Sequence, residues 1–375
     1  MKKRHIYFYN FLRPLVILFT KLKFNYHYKK AENLPDNYIV LSNHVTDYDM
    51  LFVASSFPRQ MYFVASEHIA RWKTLYKLLQ YIQEPIIRYK GTVAGATVME
   101  ALRKIKAGAN VCIFAEGIRS WDGVTCPILP STGKMIKSAR CGLFTYKITG
   151  GYFTSPGWSD KGIRKGPLYG APVNVYTKEQ IASMSVEEIN TVIDRDLYED
   201  AYERQLKNPQ KYSGKNLACG LENLFYVCPD CNQTDSLSTD GNILKCNSCG
   251  ASYNYNEYGL FENAPFQTVR EFALWQQEKT KELVLANKTL TTEHAILKKI
   301  VKHEETILAE GAVSINTQFL SCNDHSFSMD MINGMDITGR HGLVLSVGKE
   351  YYELKVPANA VKFLLYYRAY KSANK

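Results

Sequence analysis

Residues 37–49 read NYIVLSNHVTDYD. The run from Tyr38 to Leu41 is apolar and β-prone, and Ser42-Asn43 are turn formers, so residues 37–43 are expected to form a short buried strand leading into a turn. His44 follows at once, and Asp49 comes five positions later, ahead of the apolar run Met50–Ser55. On one continuous helix, five positions turn the chain by about 140°, so the two side chains do not share a helical face. With His44 in the turn and a helix starting near Asp47, the Asp49 carboxylate folds back onto the imidazole. Such a carboxylate fixes the ring tautomer and leaves the other ring nitrogen to take a proton. A second buried-strand pattern, Val111–Ala115 (VCIFA), puts Glu116, Gly117 and Arg119 at a strand's C-terminal end, where α/β sites collect. Gly117 permits close backbone approach to a ligand, and Arg119 can hold phosphate through two parallel charge-assisted hydrogen bonds. Arg88, after the short apolar run Pro85–Ile87, is a second candidate clamp.

Asn43-His44-x4-Asp49 after a short strand resembles the first motif of the glycerolipid (lysophosphatidic acid) acyltransferases, and Phe114-Ala-Glu-Gly-Ile-Arg-Ser120 resembles their third. Ile86-Ile-Arg-Tyr-Lys-Gly-Thr92 is similar to the second motif, and Ser131-Thr-Gly-Lys134 with Gly142–Gly151 falls where the fourth and its preceding helix lie. Ala115 and Ile118 replace the proline and threonine usual in the third motif. The resemblance covers about residues 30–210 and implies an α/β fold, a mixed sheet flanked by helices. It also implies a reaction: His44 as general base on an acceptor hydroxyl, oriented by Asp49. Arg88 and Arg119 would hold the acceptor phosphate, with Glu116 and Gly117 at the acceptor. The acyl donor it implies is a thioester, acyl-coenzyme A or acyl carrier protein. The acceptor is a lysophospholipid, foremost 1-acyl-sn-glycerol-3-phosphate, which would become phosphatidic acid.

The formal charge of +10, from 46 Lys and Arg against 36 Asp and Glu, favours an anionic partner without choosing among lipid, nucleic acid and phosphorylated substrate. The N-terminal segment 1–30 narrows the choice. Its apolar stretch from Ile6 to Phe19 is broken by Asn10 and Arg13 and flanked by Lys2, Lys3, Arg4, Lys21 and Lys23. It lacks the small-residue site of a cleaved signal, and a central arginine is costly in a spanning helix. A helical segment lying on an anionic membrane surface is expected, peripheral or monotopic on the cytoplasmic face, with Pro14 starting or kinking the helix.

Cys228-Pro-Asp-Cys231, fourteen residues, then Cys246-Asn-Ser-Cys249 give two knuckles able to place four thiolates on one tetrahedral Zn²⁺. A closed four-thiolate site is structural, because no coordination position stays open. Residues 228–249 contain one basic residue, Lys245, which argues against nucleic acid as the ribbon's partner. The expected organisation is a membrane-associating segment (1–30), the acyltransferase-like domain (31–215), the zinc ribbon (222–262), a helical linker (265–301), and a mostly β domain with a closing helix (302–375). Its short β-like runs, Thr306–Ala309, Ala312–Ile315, Phe319–Cys322, Phe327–Met331, Gly342–Val347 and Tyr351–Lys355, ahead of one helix at Ala358–Tyr370, resemble a pleckstrin-homology barrel. The alternative to an enzyme is a non-catalytic lipid-binding scaffold that uses the ribbon to engage a protein or nucleic acid.

Overall fold

The computed structural model describes residues 2–67, 69, 73–88, 95–301 and 304–374. These fall into two compact units: residues up to 213 apart from 158–162, and residues 158–162 with 214 onward. No helix among the described residues is long and apolar enough to cross a membrane.

The first unit is built on α1 (Lys3–Phe24), β1 (Tyr26–Tyr28), β2 (Tyr38–Ser42), α2 (Asp49–Ser56), β3 (Met61–Ser66), α3 (Lys73–Ile82), β4 (Ile86–Arg88), α4 (Gly95–Lys106), β5 (Asn110–Phe114), α5 (Ser131–Ala139), β6 (Gly142–Thr149), α6 (Gly151–Thr154), β7 (Leu168–Tyr176), α7 (Lys178–Ser183), α8 (Val186–Leu197) and α9 (Ala201–Lys207). Its seven strands form one mixed sheet in the order β1-β7-β6-β2-β5-β3-β4. Every neighbour is parallel except β6 against β7. Central β2 is buried along its whole length, as a strand covered on both faces must be. Its side chains alternate between two cores. Tyr38 and Val40 pack with Phe52, Phe57 and Phe144 on one face, while Ile39 and Leu41 pack with Ile105, Ile136 and Ile193 on the other.

Helix α1 belongs to this unit and runs past Pro14 without ending. The arginine that breaks its apolar pattern has a partner inside the protein. Arg13 donates to the carbonyls of Ala54 (3.1 Å) and Ser55 (2.6 Å), a cation at the C-terminal end of α2 where it complements the helix dipole. Tyr9 reinforces the contact by donating to the Phe57 carbonyl at 2.9 Å. Tyr7, Phe11, Leu15, Leu18 and Leu22 are exposed and recur every three or four residues, so they line a single outward stripe.

The second unit carries β8 (Leu237–Asp240), β9 (Ile243–Cys246), β10 (Ser252–Tyr255) and β11 (Phe261–Glu262), a four-stranded antiparallel sheet. Helix α10 (Val269–Leu285) follows. Then come β12 (Leu290–Val301), β13 (Glu304–Ile315), β14 (Phe319–Cys322), β15 (His325–Ser328), β16 (Ile332–Thr338), β17 (Gly342–Val347) and β18 (Glu350–Lys355), closed by α11 (Ala360–Ala373). These seven strands are antiparallel in the order β15-β14-β13-β12-β18-β17-β16.

Three sequence expectations are corrected here. The helix expected over 265–301 stops at Leu285, and residues 290–301 are a strand. Asn287 takes a left-handed conformation (φ 48°) that breaks the helix, and the following Thr291, Thr292, Ile296, Ile300 and Val301 are β-branched. The first domain is not continuous over 31–215, because Trp158 is fully buried in the second unit against the Tyr255 ring at 5.8 Å. Asn223 holds the same segment by donating to the Trp158 carbonyl (3.2 Å) and to Asp160 (2.9 Å). The strand expected at Phe327–Met331 lies at His325–Ser328, and β16 was not anticipated.

Candidate active site and metal centre

Strand β2 ends at Ser42, and Asn43 continues its pairing through the side chain. Asn43 donates to the Ile148 carbonyl (2.9 Å) and accepts from the Ile148 N–H (2.8 Å), which locks the turn to β6. His44 then enters a turn, and α2 starts at Asp49, two residues later than expected. Asp49 is 1% exposed and accepts from four donors. They are the His44 Nδ1 (2.8 Å), the Val45 N–H (2.7 Å), the Thr46 N–H (3.0 Å) and the Thr46 hydroxyl (2.7 Å). With both carboxylate oxygens serving as acceptors, Nδ1 carries the proton and Nε2 is left as the basic nitrogen. The ring stacks on Phe114 with centroids 4.8 Å apart and remains partly open to solvent.

The loop after β5 grips the backbone of His44 from both sides. Glu116 accepts the His44 N–H at 2.6 Å, and the Ser120 N–H donates to the His44 carbonyl at 3.1 Å. The other Glu116 oxygen accepts the Cys126 N–H at 2.5 Å. Burial pushes the Glu116 carboxyl up to about 8, against the opposing pull of those two N–H groups. Behind it lies a cavity of about 10 Å³, room for one water, lined in part by Val45, Ser120, Thr125, Tyr152 and Glu199. Gly117 sits at φ 71° with open space where a side chain would be, so its backbone conformation is what requires glycine. Arg119 is largely buried, and its guanidinium lies 3.2 Å from the carboxylate of Asp47 in the turn that carries His44.

Thus His44, Asp49, Glu116, Gly117 and Arg119 gather at the C-terminal ends of adjacent β2 and β5, where Ser42 pairs with Phe114. Arg88 ends β4, with β3 between it and β5, so it stands roughly 10 Å away in the pairing direction. The remainder of its motif, Tyr89–Thr92, lies outside the described residues. Sequence reasoning gave Thr46 no role, took Asn43 only as a turn former within the first motif, and used Asp47 only to mark a helix start. A Thr-x-x-Asp spacing at Thr46–Asp49 was the available signal for Thr46, being the pattern of a helix capping box.

Residues 25–149 match the family described as Acyltransferase, a stretch from just before β1 to the end of β6 that includes every one of these side chains. The chain carries an acyltransferase-family domain. Among solved structures, it is similar to the 1-acyl-sn-glycerophosphate (LPA) acyltransferase PlsC of Thermotoga maritima. Identity is 18% and the TM-score 0.43, over 55% of this chain and 83% of that one. It is also similar to the N-terminal PH domain of human ARAP2, at 12% identity and a TM-score of 0.19, over 24% of this chain and 84% of that one. No curated protein matches the chain.

Beyond the acyltransferase domain, Cys228, Cys231, Cys246 and Cys249 bring four sulfurs within 4.8 Å of one another. Sγ of Cys228 lies 3.7 Å from that of Cys249, and Sγ of Cys231 lies 3.8 Å from that of Cys246. Four thiolates at about 2.3 Å from one tetrahedral ion stand about 3.8 Å apart, so the donor set fits Zn²⁺. Two hydroxyls approach the sulfurs: Ser236 lies 3.2 Å from Cys246 and Tyr253 lies 3.9 Å from Cys228. The knuckle is tied into its unit at both ends. Gln276 of α10 accepts the Tyr226 N–H at 2.7 Å. Lys362 of α11, 1% exposed, donates to Asp235 and to the Thr291 carbonyl, each at 2.7 Å.

Proposed function

We propose that this protein transfers a fatty acyl group from an acyl thioester to a lysophospholipid, most simply 1-acyl-sn-glycerol-3-phosphate, giving phosphatidic acid. The observation that carries the reading is the His44–Asp49 pair, with Nδ1 committed to a buried carboxylate at 2.8 Å and Nε2 without a partner among the described residues. Nε2 takes the proton of the acceptor hydroxyl as its oxygen attacks the thioester carbonyl. The tetrahedral intermediate collapses, the C–S bond breaks, and the proton on His44 passes to the departing thiolate. Asp49 stabilises the imidazolium formed between the two transfers. Arg119, with Arg88, binds the acceptor phosphate, and Gly117 leaves room for the acceptor beside the loop. Glu116 acts by fixing the His44 backbone.

The donor is acyl-coenzyme A or acyl carrier protein. The exposed apolar stripe of α1, bracketed by basic residues, supports attachment to an anionic membrane surface at the cytoplasmic face. Zn²⁺ on the four cysteines would hold the two knuckles together as a structural ion. The seven strands and closing helix of β12–α11 support reading that region as a pleckstrin-homology-like module.

The test is transfer from a labelled thioester to lysophosphatidic acid in mixed micelles, comparing wild type with His44→Ala. Product from wild type alone supports the reading. Product from both removes His44 as the base. No product from either, across several donors and lysophospholipids, would leave a lipid-binding scaffold.

A further inference from the structure

Arg119 is held in a particular way. Its side chain is 12% exposed and one of its terminal nitrogens is buried, yet that nitrogen has no hydrogen-bond acceptor in line among the described residues. The nearest negative charge is Asp47 Oδ2 at 3.2 Å, close enough to neutralise the guanidinium but misaligned as a hydrogen bond. Asp47 itself is 66% exposed. Its neighbours are fixed, because Thr46 is bonded to Asp49 through both its N–H and its hydroxyl. The Asp47 carboxylate therefore sits on a rigid turn and is free to swing into solvent, while the arginine stays in place.

We propose that Asp47 is a competing counter-ion: it occupies Arg119 when no acceptor is bound and must be displaced by the acceptor's phosphate monoester, so it weakens every phosphate at the site. This rests on reading Arg119 as a phosphate contact. A phosphate offers two oxygens in the plane of the guanidinium fork and up to two negative charges, whereas Asp47 offers one charge in poor alignment. The exchange is favourable for a phosphate that is also anchored through its acyl chain. It is less so for free inorganic phosphate, which has no other contact. Asp47 thus lowers occupation of the site by soluble anions and by the acceptor phosphate alike. An uncharged acceptor does not compete with Asp47 for the arginine.

The test compares wild type, Asp47→Asn and Arg119→Gln. The ratio of kcat/KM for lysophosphatidic acid to that for monoacylglycerol is measured in each, together with inhibition by inorganic phosphate. In Asp47→Asn the ratio should rise about two- to fivefold, the worth of a partly exposed ion pair. Half-inhibition by inorganic phosphate should move to a lower concentration by a similar factor. Where monoacylglycerol gives no product, the inhibition shift alone decides. An unchanged or lower ratio, or an unchanged inhibition, overturns the role of Asp47. Arg119→Gln separates the two readings. If it leaves both the ratio and the inhibition at wild-type values, Arg119 does not hold phosphate at all. If it lowers both while Asp47→Asn changes neither, only the counter-ion role is lost.

Discussion

Glu116 accepts the backbone N–H of His44 at 2.6 Å, so the carboxylate of one motif holds the main chain of the other while the His44 ring turns to Asp49. Glutamine in its place would turn an NH₂ toward one of the two N–H groups that Glu116 accepts. Glu116→Gln is expected to lose about 1–3 kcal/mol of stability in mild acid, the cost of an unmet buried donor. The pH dependence has a definite sign. Folding raises the Glu116 carboxyl from 4.5 to about 8, so the folded protein binds this proton more tightly than the unfolded chain. The associated stability is complete below pH 4.5 and declines as pH rises toward 8. Urea melts across that range should show the wild-type advantage over Glu116→Gln shrinking with pH; an advantage growing with pH would refute the raised carboxyl.

Asp49→Asn replaces an acceptor of four hydrogen bonds with a group that presents donors to some of the same partners. We expect kcat to fall by about 10²–10⁴, the usual worth of positioned general-base chemistry. Steady-state kinetics on a variant shown by circular dichroism to be folded would measure it, and an unchanged kcat would remove Asp49 from the reaction.

Much of this site was legible in the sequence because its side chains follow strands with unambiguous apolar runs. Tyr38–Leu41 and Val111–Phe114 could be little else than buried strands, and their ends place His44 and Glu116 together. What Glu116 does was not legible, since its partners are backbone N–H groups, which every residue but proline possesses. Asp47 served only to mark a helix start, because its partner, Arg119, lies 72 positions away. In the second unit, LTTEHAILKKIV at 290–301 places apolar residues at both helical and strand spacings, and pairing with β13 and β18 decides between them. Strand β16 escaped notice because Gly334 and Asp336 dilute its apolar pattern.

Purified protein should contain about one zinc per chain by metal analysis. Lys362→Met removes the buried ammonium that binds Asp235 and the Thr291 carbonyl, and should cost about 1–3 kcal/mol. If that contact steadies the first knuckle, the variant should yield zinc to a chromophoric chelator faster than wild type. Equal release rates would mean that the knuckle holds its metal independently of α11.

On the outward stripe of α1, Leu18→Glu should weaken co-sedimentation with phosphatidylglycerol vesicles at least about tenfold, given the burial energy of one leucine. The thermal midpoint should hardly move, because Leu18 is 53% exposed. Undiminished sedimentation would mean that the protein meets lipid through another face.

Arg13 of α1 caps the C-terminal end of α2, and Asp49 opens the other end of that helix. From Asp49 to Ser55 is six rises of the α-helix, about 9 Å of stiff rod. Helix α1 and the carboxylate that holds the His44 imidazole are therefore joined by a spacer of fixed length. Adding a turn to α2 would lengthen that spacer by about 5.4 Å, and so part the Arg13 contact from the turn that carries His44.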